Sequence, residues 1–169
     1  KMKRIAESLD VKFVYTFEII PTIAKDSSTR DLQVPLEDIL TDEVLLRYVV
    51  VDDNESVYKF INCTLQDYGW IHFERNFSCL SDAICFLKKN RVDVVFLEFV
   101  LPDLMGVEIF EQLKELPYVV MLTGCMKKYA ESICHHIDKG ISAFLDKPID
   151  SELLVKLMEN FRRKKLKSV

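Results

Sequence analysis

Four apolar runs in this 169-residue chain each end on polar side chains that could do chemistry together. Tyr48–Val51 runs into Asp52-Asp53, Val94–Leu97 into Glu98, Tyr118–Leu122 into Thr123, and Ile141–Leu145 into Asp146-Lys147-Pro148. If the runs are neighbouring parallel strands, their ends share one edge and the polar groups converge although they are far apart in sequence. Carboxylates crowded there repel one another and call for a hard cation such as Mg²⁺, a lysine, or a raised pKa. Lys147 brings one positive charge and Thr123 a hydroxyl able to reach an anion. Acids for a metal, with lysine and threonine for oxygens, are a set suited to holding a phosphoryl group.

The elements that would position this set follow from periodicity. Val94–Leu97 is near-continuously apolar, as a strand buried on both faces must be, and Pro102 and Gly106 turn the chain after Glu98. Strands are expected at Tyr48–Val51, Trp70–Arg75, Val94–Leu97, Tyr118–Leu122 and Ile141–Leu145. Helices are expected at Glu55–Gln66, with Val57, Phe60, Ile61 and Leu65 on one face, and at Leu80–Lys89, N-capped by Ser81 or Ser78. Three more follow: Val107–Leu116 closed by Pro117, Met126–Asp138 before Gly140, and Ser151–Lys165. Five strands alternating with five helices predict an α/β fold: a doubly wound, five-stranded parallel sheet with helices on both faces.

Residues 1–46 read as an N-terminal extension and 47–169 as the main domain. In the extension, Lys1–Leu9 has helical spacing. Val11–Ile20 alternates Val11, Phe13, Tyr15, Phe17 and Ile19 onto one face, as a strand does. Ala24–Pro35 reads as a linker and Leu36–Leu46 as a weak helix. This stretch is too small for its own core, so it packs on the rest, swaps onto a second copy, or belongs to a preceding domain. The basic run Arg162–Lys167 reads as a solvated complement to a helix dipole.

Bulk properties narrow the classes. A net charge of −4 argues against a nucleic-acid-binding domain. No apolar run approaches the roughly 18–20 residues that cross a membrane, and Lys1–Asp10 has no signal-peptide core. Five cysteines without a CxxC pair read as reduced thiols in a cytoplasmic protein. Cys134, His135 and His136 are adjacent, so on a helix they splay and do not converge on zinc.

In order and spacing, Asp52-Asp53, the LPDLMG loop, Thr123 and Lys147-Pro148 resemble the receiver domain of two-component response regulators, over Arg47 to about Lys165. The resemblance implies a flavodoxin-like sheet in which the paired acids bind Mg²⁺. An aspartate at the third strand's end takes phosphate from a histidine kinase. Thr123 and Lys147 match the residues that contact the phosphoryl oxygens, and Phe144 the aromatic that switches rotamer. The expected metal set is Asp52, Asp53, Glu98 and the Val100 carbonyl, with no other cofactor. The chain departs from the family at the acceptor. Pro102 and Gly106 lie four and eight residues after Glu98, so Glu98 stands where the aspartate belongs.

One extra methylene carries the carboxylate about 1.5 Å farther. A misplacement of ~1 Å can cost about 10²-fold in an in-line transfer. The longer carboxylate can instead reach toward Lys147 or Thr123 and imitate the phosphorylated state, with one charge against about −1.5 to −2 for a phosphate. The expectation is a non-enzymatic pseudo-receiver that signals by contact. Its face would be Lys127–Ile137, Ile141–Leu145 and Leu153–Arg162, and its partner a kinase, an output protein or a second copy. Two other readings stand beside it: the receiver end of a hybrid sensor kinase, and a Mg²⁺-dependent phosphohydrolase using Asp52 or Asp53. Taken singly, each residue has a plainer reading: Glu98 solvated, Asp52 a helix-start acid, Thr123 an ordinary strand end, Phe144 core.

Overall fold

The computed structural model describes residues 45–124 and 139–168, together with the backbone of 15–16. The helices expected at Lys1–Leu9 and Met126–Asp138 lie outside them, as do Cys125, Cys134, His135 and His136; the weak helix expected at Leu36–Leu46 lies outside them too, except for its last two residues, and Leu46 opens a strand instead.

The strands in chain order are β1 (Tyr15–Thr16), β2 (Leu46–Val51), β3 (Ile71–Phe77), β4 (Val94–Glu98), β5 (Tyr118–Thr123) and β6 (Ile141–Asp146). They form one sheet in the order β1-β6-β5-β4-β2-β3. From β3 to β6 every neighbour is parallel, and β1 is added antiparallel on the β6 edge. The five parallel strands are those expected. β3 begins one residue later and runs two residues further, to Phe77.

The helices are α1 (Glu55–Leu65), α2 (Leu80–Leu87), α3 (Ile109–Gln112) and α4 (Ser151–Leu166). Alternation along the strands divides the core. Val49, Val51, Val95, Leu97, Met121 and Phe144 pack on one face with α2 and α3 residues. Tyr48, Val50, Phe96, Val120, Leu122 and Leu145 pack on the other with Ile61, Leu65, Leu157 and Phe161 of α1 and α4. Each fully buried side chain of this size stabilises by about 1.5–3 kcal/mol, which is why the central strands carry no polar residue until their ends.

Several local expectations are corrected. The helix expected over Val107–Leu116 is a 3₁₀ turn, Gly106–Glu108, followed by the single turn of α3. Leu113 is already extended, so the apolar spacing of Leu113 and Leu116 does not prolong it. Neither Ser78 nor Ser81 caps α2. Its N-cap residue is Cys79, and the capping oxygens come from Asp103 in the β4–α3 loop: Oδ1 accepts from Leu80 N, and Oδ2 from Ser81 N and Oγ. Phe60 does not join the inner face of α1; it is 41 % exposed. The basic run is only partly solvated. Arg162 is buried with its guanidinium 5.0 Å from the Trp70 ring centre, and Lys165 turns back onto the sheet.

Candidate functional site

The chain runs from β2 out to β3, then returns to place β4 on the other side of β2. A crevice opens at such a reversal, beyond the carboxyl ends of the strands. Register fixes what lines it. Val51 pairs with Leu97, so the next residues, Asp52 and Glu98, leave adjacent strands at one level. Thr123 pairs with Asp146, and Lys147 N donates to the Thr123 carbonyl at 3.0 Å, which brings the lysine to the same edge. The Lys147-Pro148 peptide is cis.

Three of the expected residues meet directly. The Lys147 ammonium donates to Asp52 Oδ2 at 2.5 Å and to Glu98 Oε2. The Asp52 side chain is fully buried, Glu98 is 14 % exposed and Lys147 21 %. Each carboxylate spends its second oxygen on backbone. Asp52 Oδ1 accepts from Asn54 N at 2.9 Å, at the entry to α1. Glu98 Oε1 accepts from Phe99 N at 2.7 Å and Val100 N at 3.3 Å. The Glu98 head group is therefore clamped between its own loop and the lysine.

Burial pushes the Asp52 carboxyl above its ordinary value, against hydrogen bonds from Lys147 and Asn54, and the charge of Glu98 adds to the rise. Burial alone would lower Lys147, but its hydrogen bonds to Asp52 and Glu98 outweigh that and raise it. One ammonium thus serves two carboxylates, and the trio keeps a net negative charge.

The loop after Glu98 is braced at several points. Gly106 N donates to the Phe99 carbonyl at 2.9 Å, and a Cβ at Gly106 would collide with the Glu98 carbonyl oxygen. Glu108 Oε1 accepts from Met105 N at 2.9 Å. Asp103 ties the loop to α2. Burial works the other way, but the hydrogen bonds from Ser81 and Leu80 lower its carboxyl from 3.8 to about 2. Sequence reasoning missed Asp103 because its partners lie more than twenty residues away. The only available signal was an acid inside a Pro-to-Gly loop.

The other expected residues are placed less directly. Thr123 is buried at the end of β5, and Phe144 is buried on the face of β6 that packs with α2 and α3. Asp53 is exposed on the bend after β2, and Val100 is exposed, bridged to Met105. Lys147 turns to Asp52 and Glu98, so the neutralisation by neighbouring Asp146 that adjacency in sequence invites is not the pairing adopted. The fit to a divalent cation is poor. Of the expected set, Asp52 and Glu98 are already paired with the Lys147 ammonium, and Asp53 and Val100 are exposed. Among the described residues no three His, Cys, Asp or Glu side chains stand together in a way that could hold a metal.

Comparison with known proteins agrees with this fold. Residues 48–159 match the family described as the response regulator receiver domain. The chain is 27 % identical over 124 residues to the sensory transduction protein LytT of Bacillus anthracis, covering 72 % of this chain and 49 % of that protein. It is 28 % identical over 135 residues to the putative two-component response regulator ARR20 of Arabidopsis thaliana, covering 77 % of this chain and 30 % of that one. The chain thus spans half or less of the length of these relatives. The crystal structure of a CheY-like response regulator receiver domain protein from Methanospirillum hungatei superposes with a TM-score of 0.65 at 20 % identity, over 74 % of this chain and 99 % of that one. These matches favour neither the sensor-kinase nor the phosphohydrolase reading. No helix among the described residues is long and apolar enough to cross a membrane.

Proposed function

This chain belongs to the response regulator receiver domain family, and from that premise we propose that it is an atypical receiver, acting by protein contact without conventional aspartyl phosphorylation. Receivers of this family serve two-component signalling by engaging kinases or output domains. We take the receiver-like domain to begin with β2 at Leu46, one residue before the expected 47, and the residues before it as an extension. Glu98 holds the acceptor position, with Thr123 and Lys147 as the phosphate-contacting pair and Phe144 as the switch aromatic.

One observation carries the reading: the Glu98 carboxylate is spent on Lys147 through one oxygen and on the Phe99 and Val100 amides through the other. An attacking carboxylate needs a free oxygen in line with phosphorus, and a phosphoryl group needs the lysine. Both are already engaged with each other. The same contact puts a negative oxygen on the lysine without any phosphate, as a partial imitation of the phosphorylated state. The partner is a kinase, an output protein or a second copy. The face through which it is reached includes β6 and the exposed side of α4.

Intact-mass analysis after incubation with acetyl phosphate and Mg²⁺ tests this. The wild type should gain no stoichiometric phosphoryl group, and Glu98→Asp, which withdraws the carboxylate by one methylene, should gain one. Stoichiometric acylphosphate on Glu98 itself would overturn the proposal.

A further inference from the structure

The two edges of the sheet are built differently. The β3 edge reads IHFERNF, is mostly exposed or half-buried, and carries His72, Glu74, Arg75 and Asn76. Charges along an edge discourage another strand from pairing with it. The opposite edge of the parallel strands, β6, reads ISAFLD and has no charge before Asp146; Ile141, Ala143, Phe144 and Leu145 are buried. A bare edge of that composition would invite foreign strands. It is not bare: Tyr15 pairs with Phe144 and Thr16 with Ala143, antiparallel.

We propose that the outer edge of β6 is a β-augmentation site, and that its occupant is this chain's own strand Tyr15–Thr16, bound in cis. The register supports this. Tyr15 belongs to the apolar phase of the Val11–Ile20 alternation, and it takes the position opposite Phe144, which packs on the sheet face shared with α2 and α3. Chain length permits it. On the order of 30 residues separate Thr16 from Leu46, and an extended chain spans ~3.3 Å per residue, against strands about 4.8 Å apart. The segment thereby blocks the sheet edge beside Phe144 and Lys147. A partner adding a strand there would have to displace it. This inference stands independently of what Glu98 does.

Hydrogen exchange of the full chain tests it. The double substitution Tyr15→Pro, Thr16→Pro removes both amides, so whichever one faces β6 is lost. Amides in 141–146 should then exchange about ten-fold faster or more, while those in 94–98 stay protected. Unchanged exchange in 141–146 would overturn the proposal. Should protection in 94–98 also collapse, a second variant decides. Thr16→Cys, Ala143→Cys joins directly opposed positions at a separation that a disulfide accepts. After oxidation and peptide mapping, a 16–143 link inside the monomer supports the cis strap. A link found only between two copies, or no link, rejects it.

Discussion

Both ends of the central strands carry a lysine–aspartate clasp, and the two clasps differ in charge balance. At the amino end, the Lys165 ammonium donates to Asp93 Oδ1 at 2.7 Å and to the Leu45 carbonyl at 2.9 Å, and Asp93 Oδ2 accepts from Arg47 N at 2.8 Å. One cation meets one anion, and backbone groups take the remaining valences. This clasp ties the last turn of α4 to the entrances of β2 and β4. At the carboxyl end, one ammonium is divided between Asp52 and Glu98, deeper in the protein. The balanced clasp needs only a structural explanation. The unbalanced one gathers two carboxyl groups on one ammonium where charge is costly, and a cluster of titratable groups with shifted pKa values in a crevice is a candidate functional site.

Three perturbations break or sharpen this contrast. Lys147→Met strands two carboxylates, one of them fully buried, and should cost about 3 kcal/mol in urea unfolding. Part of that loss should be recovered on mild acidification as Asp52, already raised by burial, takes up a proton. Lys165→Met at the balanced clasp strands one carboxylate that still accepts the Arg47 amide, and should cost about 1.5 kcal/mol. Equal costs for the two lysines would erase the distinction. Asp103→Ala removes the cap that holds the site loop to α2 and should cost about 1 kcal/mol at pH 7. Because the folded state lowers the Asp103 carboxyl from 3.8 to about 2, its contribution is present above about pH 4 and lost as pH falls through 2. The variant's deficit relative to wild type should shrink over that range in acid unfolding curves.

The central strands were legible because burial on both faces leaves an unbroken apolar run, and their ends were legible because polarity returns abruptly at Asp52, Glu98, Thr123 and Lys147. Alternation with helices then gave the layers. What the sequence did not disclose depends on contacts between distant residues. Leu113 and Leu116 keep a helical spacing, yet α3 stops at Gln112. Ser78 and Ser81 look like caps, yet the capping oxygens come from Asp103. The run Arg162–Lys167 looks solvated, yet Arg162 and Lys165 turn inward to Trp70 and Asp93. The antiparallel docking of β1 depends on an open edge that no local pattern in residues 15–16 reveals. At the site itself, residue types predicted which groups would gather. They left open whether Glu98 would reach Lys147 or Thr123, because one methylene permits either.

The contact between Glu98 and Lys147 is tested most directly by a double-mutant cycle, with Glu98→Gln, Lys147→Met and the pair compared by urea unfolding. A direct charge-paired contact predicts a coupling of about 1–3 kcal/mol, with the double variant losing less than the sum of the singles. Additivity within about 0.3–0.5 kcal/mol, the behaviour of sites that do not touch, would contradict the account.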